Sequence, residues 1–202
     1  MKEIPFKCKD EGKPLFCLAN DWEKDKHRYS LELSWTETSK NTILVVGVNP
    51  GGETDPEEQS FGRTVRRVCK LVFGNRGGET EYDSVLFVNL TSVIAKNPSE
   101  LKKVPNIKSF TEDNITKIKS LIQERCGRIH NVLFCYGNSL KHNDGPFSKV
   151  IKAIEDALPS TECKYWCLGI SKKGYPIHPL ARIKDKRLTE YKRYHALTLD
   201  NQ

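Results

Sequence analysis

Asn49 is the first residue whose type and position could carry chemistry, because it stands in a loop rich in glycine and proline after a strand-like apolar run. Run and loop together read TILVVGVNPGG over Thr42–Gly52. A carboxamide can accept a hydrogen bond from a water molecule and donate one to it, but it is too weak a base to take its proton. The position predicts either a group that orients a water or ligand, or an Asn-Pro turn whose side chain caps its own backbone.

Asn89 and His178 are the other two polar side chains at informative positions. Asn89 lies inside the apolar run Ser84–Leu90, and a buried amide needs hydrogen-bond partners. It could bond to neighbouring backbone, or it could offer a donor and an acceptor to the edge of a nucleobase. His178 lies in a loop restricted by Pro176 and Pro179. It could donate a hydrogen bond to a developing anion, or it could face solvent without a chemical role.

Four continuous apolar runs alternate with helical patterns and predict the scaffold that positions these residues. The runs are Thr42–Gly47, Ser84–Leu90, Asn131–Tyr136 and Tyr165–Ile170, and the helical patterns cover Thr64–Phe73, Thr111–Cys126 and Phe147–Ile154. Such alternation is typical of a parallel sheet covered on both faces. The expected fold is therefore a three-layer α/β/α sandwich with a central, mostly parallel four-stranded sheet.

Other segments predict how the chain begins and ends. Residues 1–28 are expected to form an irregular N-terminal extension, and residues 29–202 a single α/β domain. Tyr29–Trp35 alternates apolar and polar residues, which predicts a half-solvated, antiparallel N-terminal edge strand. TEDN at Thr111–Asn114 places acidic residues where a helix start favours them. The basic tail allows a helix over Arg187–Leu197.

Parallel strands place their carboxyl ends on one rim of the sheet, which is where open α/β sheets bind ligands. Four polar loops should therefore meet there, provided that the strands are parallel. The loops are Asn49–Gly52, Asn89–Ser92, Gly137–Asn138 and Lys172–Pro179.

The composition favours a polyanionic partner and a reducing compartment. The net charge of +7 and the isoelectric point near 9.0 favour binding to nucleic acid or nucleotide. The seven cysteines include no C-x-x-C pair, which predicts free thiols in the cytoplasm rather than a metal or redox site. No apolar stretch reaches the roughly 18 residues of a membrane span. We expect no membrane association, no metal and no cofactor.

The motifs and their order resemble those of a known superfamily. GVNPG at Gly47–Gly51, FVNL at Phe87–Leu90 and IHPL at Ile177–Leu180 resemble the three signatures of the uracil-DNA glycosylase superfamily. More closely, the segments NPGGETDPEEQSFGRTVRR, VNLTSVIAKNPSEL, FCYGN and CLGISKKGYPIHPL are similar to domain-of-unknown-function family 1643, thought to share that fold. The resemblance runs from about Tyr29 to Arg182.

The resemblance implies a nucleobase-binding protein of uracil-DNA-glycosylase-like fold that hydrolyses an N-glycosidic bond in DNA or in a nucleotide. Asn49 would orient the attacking water, Asn89 would read the base edge, and His178 would hydrogen-bond the departing base as it gains negative charge. The other residues expected to bind substrate are Gly47, Pro50, Gly51, Gly137 and Asn138. The residues expected to contact phosphates, or else to form a solvated basic face, are Lys172, Lys173 and Arg182.

Departures from the usual sequence of that family keep other functions open. Gly62 stands where the family usually has an aspartate, and IAKNP at Ile94–Pro98 stands where it usually has R-A-T-D-P. One alternative is a non-catalytic nucleic-acid or nucleotide sensor that keeps the pocket but has lost hydrolysis. Another is a protein-interaction module built on an inherited fold.

Overall fold

In the computed structural model, the chain forms one mixed sheet with helices on both faces. The structure describes residues 16–18, 26–52, 61–73, 82–96, 100–101, 104, 107–138, 146–158, 163–182 and 187–191. The strands are β1 (Phe16–Leu18), β2 (Ser30–Ser34), β3 (Thr42–Gly47), β4 (Ser84–Asn89), β5 (Ile129–Phe134), β6 (Lys164–Cys167) and β7 (Thr189–Glu190). The helices are α1 (Arg63–Phe73), α2 (Ile107–Glu124) and α3 (Pro146–Ala157).

The described strands lie in the order β1-β2-β4-β3-β5-β6-β7. β4, β3, β5 and β6 are parallel to one another. β2 runs antiparallel to β4, and β7 runs antiparallel to β6. The prediction of a central parallel four-stranded sheet within an α/β fold is therefore confirmed. The parallel strands read as continuous apolar runs because both of their faces are covered, and every residue of β4 is buried.

The helices are divided between the two faces of the sheet. α1 packs on one face through residues such as Val68, whereas α2 and α3 pack on the other through residues such as Ile118 and Ile154. The chain thus leaves β3 toward one face and leaves the neighbouring β5 toward the opposite face. Such a reversal opens a crevice between two carboxyl ends, which is the place where open α/β sheets bind ligands. Among the described helices, none has the length and apolar character that crossing a bilayer requires.

β2 is antiparallel, as predicted, but it is neither half-solvated nor at the edge of the sheet. All five of its residues are buried, and β1 pairs with its outer side. Leu31 and Leu33 pack on the α1 face. On the other face, Glu32 Oε2 lies 3.0 Å from Nε of Arg125, just beyond α2. A buried carboxylate that is paired with an arginine gives the same sequence pattern as a solvated one.

Three predicted element bounds also need correction. β1 lies within the residues 1–28 that were expected to be irregular. α2 begins at Ile107, so the segment Thr111–Asn114 is not the start of the helix but part of its body. Glu112 and Asp113 are exposed there, and exposed acidic residues are tolerated in the body of a helix. Thr189–Glu190 is a strand rather than part of a helix, and the remainder of the predicted tail helix, from residue 192, lies outside the described residues.

Candidate functional site

The loops that follow β3 and β4 are joined by backbone hydrogen bonds at the carboxyl rim. Leu90 N–H donates to Gly47 O at 3.0 Å, which continues the parallel ladder beyond the end of β4. Farther along, Ala95 N–H donates to Pro50 O at 3.2 Å. The loops beginning at Asn49 and Asn89 are therefore brought together, as the sequence predicts, and form one continuous surface.

The half-buried side chain of Asn49 has its nitrogen committed to the backbone. Nδ2 donates to Pro50 O at 3.0 Å and to Ala95 O at 2.8 Å. Both amide hydrogens are thereby used, which fixes the orientation of the carboxamide. The bond to Pro50 O is a cap on the residue's own loop, which is the structural role that the Asn-Pro sequence also allows. Oδ1 is the group that Asn49 can still offer to a ligand, and it can only accept a hydrogen bond.

Asn89 lies beside Gly47, its register partner in β3. A Cβ atom built on Gly47 would lie 2.6 Å from Asn89 Oδ1, so the carboxamide oxygen stands over the bare Cα of the glycine. The φ angle of Gly47 is not positive. The glycine is therefore required here for space and not for an unusual backbone conformation. Asn89 itself is buried, with 9% of its surface exposed.

The loops that follow β5 and β6 form a second pair of contacts. Gly137 has a φ of 72°, and a Cβ atom on it would lie 2.9 Å from Cβ of His178. Its N–H donates to Pro176 O at 2.9 Å. Asn138 Oδ1 accepts a hydrogen bond from Ser171 Oγ at 2.6 Å. Glycine is required at position 137 both for its left-handed conformation and for the close approach of the histidine.

The hydrogen bonding of His178 assigns its tautomer. Nδ1 accepts a hydrogen bond from Leu180 N–H at 3.2 Å. A ring nitrogen that accepts carries no proton, so the neutral imidazole carries its proton on Nε2. Ala181 N–H donates to the backbone oxygen of His178 at 2.9 Å and closes the turn. Nε2 is thus a hydrogen-bond donor, which is the property needed to stabilise an anion that develops on a leaving group.

The two pairs of loops meet between β3 and β5, where Cys135 N–H donates to Val46 O at 3.0 Å. Asn49 and Asn89 lie on one side of this junction and His178 lies on the other. Within the described residues, no hydrogen bond joins either asparagine to the histidine. The predicted residues therefore lie on one rim, with Asn49 and Asn89 in the first pair of loops and His178 in the second.

The loop that carries the histidine also presents basic and apolar side chains to solvent. Lys172, Lys173 and Arg182 are exposed. Ile170 and Leu180 are exposed by 44% and 42%, which is unusual for large apolar residues. This loop is therefore a candidate contact surface that combines positive charge with exposed apolar area.

Ionisable groups next to Gly137 are kept neutral by burial. Desolvation raises the pKa of the Cys135 thiol to about 12. Desolvation, together with its hydrogen-bonded neighbour Tyr191, raises the pKa of Tyr136 well above its ordinary value. Neither group supplies a nucleophile or a base near neutral pH. Near neutral pH, these two described groups can therefore contribute hydrogen bonds only.

Asn114 is a residue near this rim that the sequence prediction missed. It is fully buried, and its Nδ2 donates to the backbone oxygen of Asn89 at 2.9 Å. The signal that could have found it is spacing, because position 114 lies four residues before Ile118 and so falls on the buried stripe of α2. A polar residue on such a stripe needs a tertiary partner.

A cleft of about 470 Å³ lies at the opposite rim of the sheet, lined in part by Glu32, Arg125 and Arg128. It contains none of the predicted site residues. The ion pair between Glu32 and Arg125 gives this cleft a structural role in anchoring β2 to the end of α2. The described residues include no cluster of three or more histidine, cysteine, aspartate or glutamate side chains that could hold a metal ion.

Comparison with known proteins shows the family of the chain. No curated protein matches it, and no solved structure matches it. A model of a family of proteins of unknown function, DUF1643, matches residues 28–180. That range contains both pairs of loops and every predicted site residue except Arg182. The chain therefore belongs to the DUF1643 family of proteins of unknown function.

Proposed function

We propose that this protein binds a nucleobase at the carboxyl rim of its parallel sheet and hydrolyses the N-glycosidic bond between that base and a sugar. The proposal includes a uracil-DNA-glycosylase-like fold, which the order of the motifs and the covered parallel sheet support. The observation that carries it is the placement of complementary polar groups on either side of the β3–β5 junction. Two carboxamides lie on one side, and a histidine with a donor Nε2 lies on the other.

Recognition of the base would fall to Asn89. A carboxamide has a donor and an acceptor side by side, and this pair matches the donor–acceptor edges of nucleobases. The side chain stands over Gly47, where the lack of a Cβ atom leaves space for the carboxamide beside the backbone. A base within a duplex would have to leave the stack to reach it.

Catalysis would use Asn49 and His178 on opposite sides of the scissile bond. The water oxygen bonds to the anomeric carbon of the sugar, and the electron pair of the C–N bond passes to the base. His178 Nε2–H stabilises the negative charge on the departing base, and Asn49 Oδ1 accepts a hydrogen bond from the water and directs it. Since a carboxamide does not take the proton, that proton passes to bulk water.

The absence of a carboxylate from these three residues favours a second candidate, a nucleic-acid or nucleotide sensor that binds without hydrolysis. Both amide hydrogens of Asn49 are engaged by backbone oxygens, so this residue can position a water but not activate it. The exposed Lys172, Lys173 and Arg182 would contact phosphates in either function. Affinity without base release would distinguish the sensor from the enzyme.

The experiment is incubation with single-stranded and duplex oligonucleotides that carry uracil or a modified base, followed by alkaline cleavage at abasic sites. We expect base release by the parent protein and its loss in Asn49→Ala and His178→Ala. Fluorescence anisotropy on the same oligonucleotides measures affinity separately from release. If no oligonucleotide or nucleoside binds more tightly to the parent than to Asn89→Ala, both the enzyme and the sensor are wrong.

A further inference from the structure

The inner face of α2 changes character along its length. Toward the opposite rim it carries apolar residues such as Ile118 and Ile122, whereas near the carboxyl rim it carries Thr111 and Asn114. All four are buried. A helix packs best on a sheet through apolar side chains, so buried polar residues at one end indicate a local requirement that packing does not explain.

The requirement at Asn114 is a contact with the last residue of β4. Asn89 follows Val88, which forms with Ser30 the last described pair of the β2–β4 ladder. Its backbone oxygen accepts a hydrogen bond from Asn114 Nδ2 at 2.9 Å. The helix therefore holds the end of β4 at the residue whose side chain stands over Gly47.

The oxygen of the Asn114 carboxamide differs from its nitrogen in hydrogen bonding. Its Oδ1 is buried and receives no hydrogen bond from the residues that the structure describes. A buried acceptor without a partner destabilises the folded state, whereas an apolar side chain of similar volume would not. Asparagine at this position thus stabilises the end of β4 through Nδ2 while leaving its own oxygen without a described partner, and conflicts of this kind concentrate at functional sites.

We infer that Asn114 is a positioning residue for Asn89. By fixing the backbone oxygen of Asn89 it fixes the direction of the Cα–Cβ bond, and this direction places the carboxamide over Gly47. The role in ligand binding rests on the proposed function, in which Asn89 reads the base. The positioning itself is independent of any ligand.

The test compares Asn114→Leu with the matched variant Asn131→Leu. Asn131 is also a buried asparagine with one side-chain bond, accepting from Trp166 Nε1–H at 2.8 Å, but it lies at the other end of the parallel strands. We expect Asn114→Leu to lower the melting temperature, because the backbone oxygen of Asn89 loses its donor, and to bind a uracil-containing oligonucleotide about tenfold or more weakly. Asn131→Leu should lower the melting temperature and leave that affinity unchanged.

A second measurement needs no ligand. The side-chain amide resonances of Asn89, assigned by their loss in Asn89→Ala, should shift in Asn114→Leu and stay in place in Asn131→Leu. If they do not move in Asn114→Leu, the positioning role is wrong. In the double variant Asn89→Ala/Asn114→Leu, affinity should fall no further than in Asn89→Ala alone, and additive losses would also overturn the inference. If Asn89→Ala itself binds like the parent, the proposed function fails, while the resonances still decide the positioning.

Discussion

Replacing Gly47 by alanine should disable Asn89 without unfolding the protein. The new methyl group would lie 2.6 Å from Asn89 Oδ1, and ordinary contact begins at 3.4 Å, so the oxygen must move by about 0.8 Å or more. The nearest backbone atom is Val88 O at 3.9 Å, so the strand itself has room for the methyl group. A flexible carboxamide can rotate away, and we therefore expect a stability change within about 1 kcal/mol.

Gly47→Ala should instead weaken the binding of a nucleobase. A bidentate pair between a carboxamide and a base is worth roughly 1–3 kcal/mol, and about 1.4 kcal/mol corresponds to a tenfold change in affinity. We therefore expect Gly47→Ala to bind a uracil-containing oligonucleotide about ten to a hundred times more weakly than the parent. Loss of hydrogen bonding by Asn89 should be the cause, so the double variant Gly47→Ala/Asn89→Ala should bind no worse than Asn89→Ala alone.

The assay is fluorescence anisotropy, accompanied by thermal unfolding of each variant. Gly127→Ala is the matched control, because a Cβ atom there would meet nothing within 4 Å and its position is far from the site. The reasoning fails if Gly47→Ala is folded and binds like the parent, since Asn89 then does not need its observed position. It also fails if Gly47→Ala unfolds while Gly127→Ala does not, since the methyl group would then be displacing backbone.

Other substitutions and reagents probe the remaining features. Gly137→Ala combines a left-handed φ with a Cβ atom 2.9 Å from that of His178, so it should cost about 1–2 kcal/mol in urea unfolding and reduce base release as His178→Ala does. Glu32→Leu removes the buried carboxylate that pairs with Arg125, which keeps its exposed partner Glu124, and should cost about 1–3 kcal/mol, part of which Arg125→Leu should restore if the ion pair is the cause. Because burial raises the pKa of Cys135 to about 12, its thiol should resist iodoacetamide at pH 8 in the native protein and react in urea. Reaction at equal rates in both states would contradict that burial.

The scaffold could be predicted from the sequence because parallel strands leave a simple signal. Runs such as Ser84–Leu90 are apolar throughout, since both faces of the sheet are covered, and their polar ends mark the rim. The prediction for Tyr29–Trp35 was wrong about solvent because periodicity reports which residues share a face, not what lies against that face. Glu32 meets an arginine that is distant in sequence, and alternation alone does not show such a partner.

The placement of the candidate residues on one rim could be predicted from the sequence, but the contacts that hold them could not. Asn89 ends a strand, Asn49 and His178 lie in loops after strands, and strand ends can be read from composition. The sequence does not single out Asn114 because the acidic residues before it favour a helix start, and this local pattern hides its place on the apolar stripe. Gly47 and Gly137 are needed because neighbouring segments approach them closely. Such distances between separate parts of the chain cannot be read from the spacing of residues in the sequence.

The turn at His178 ties the shape of its loop to the acidity of the solution. Its Nδ1 accepts a hydrogen bond from the backbone N–H of Leu180. Protonation of Nδ1 would place its new N–H opposite the Leu180 N–H, and two donors cannot form a hydrogen bond. The turn would then lose its bond to the ring and keep only the backbone bond from Ala181 N–H to His178 O. Acid would thus weaken the turn next to the exposed basic residues. Protection of the Leu180 amide from hydrogen exchange, measured relative to its intrinsic rate at each pH, should fall when the ring is protonated, and protection that is unchanged in acid would show that the turn does not depend on this bond.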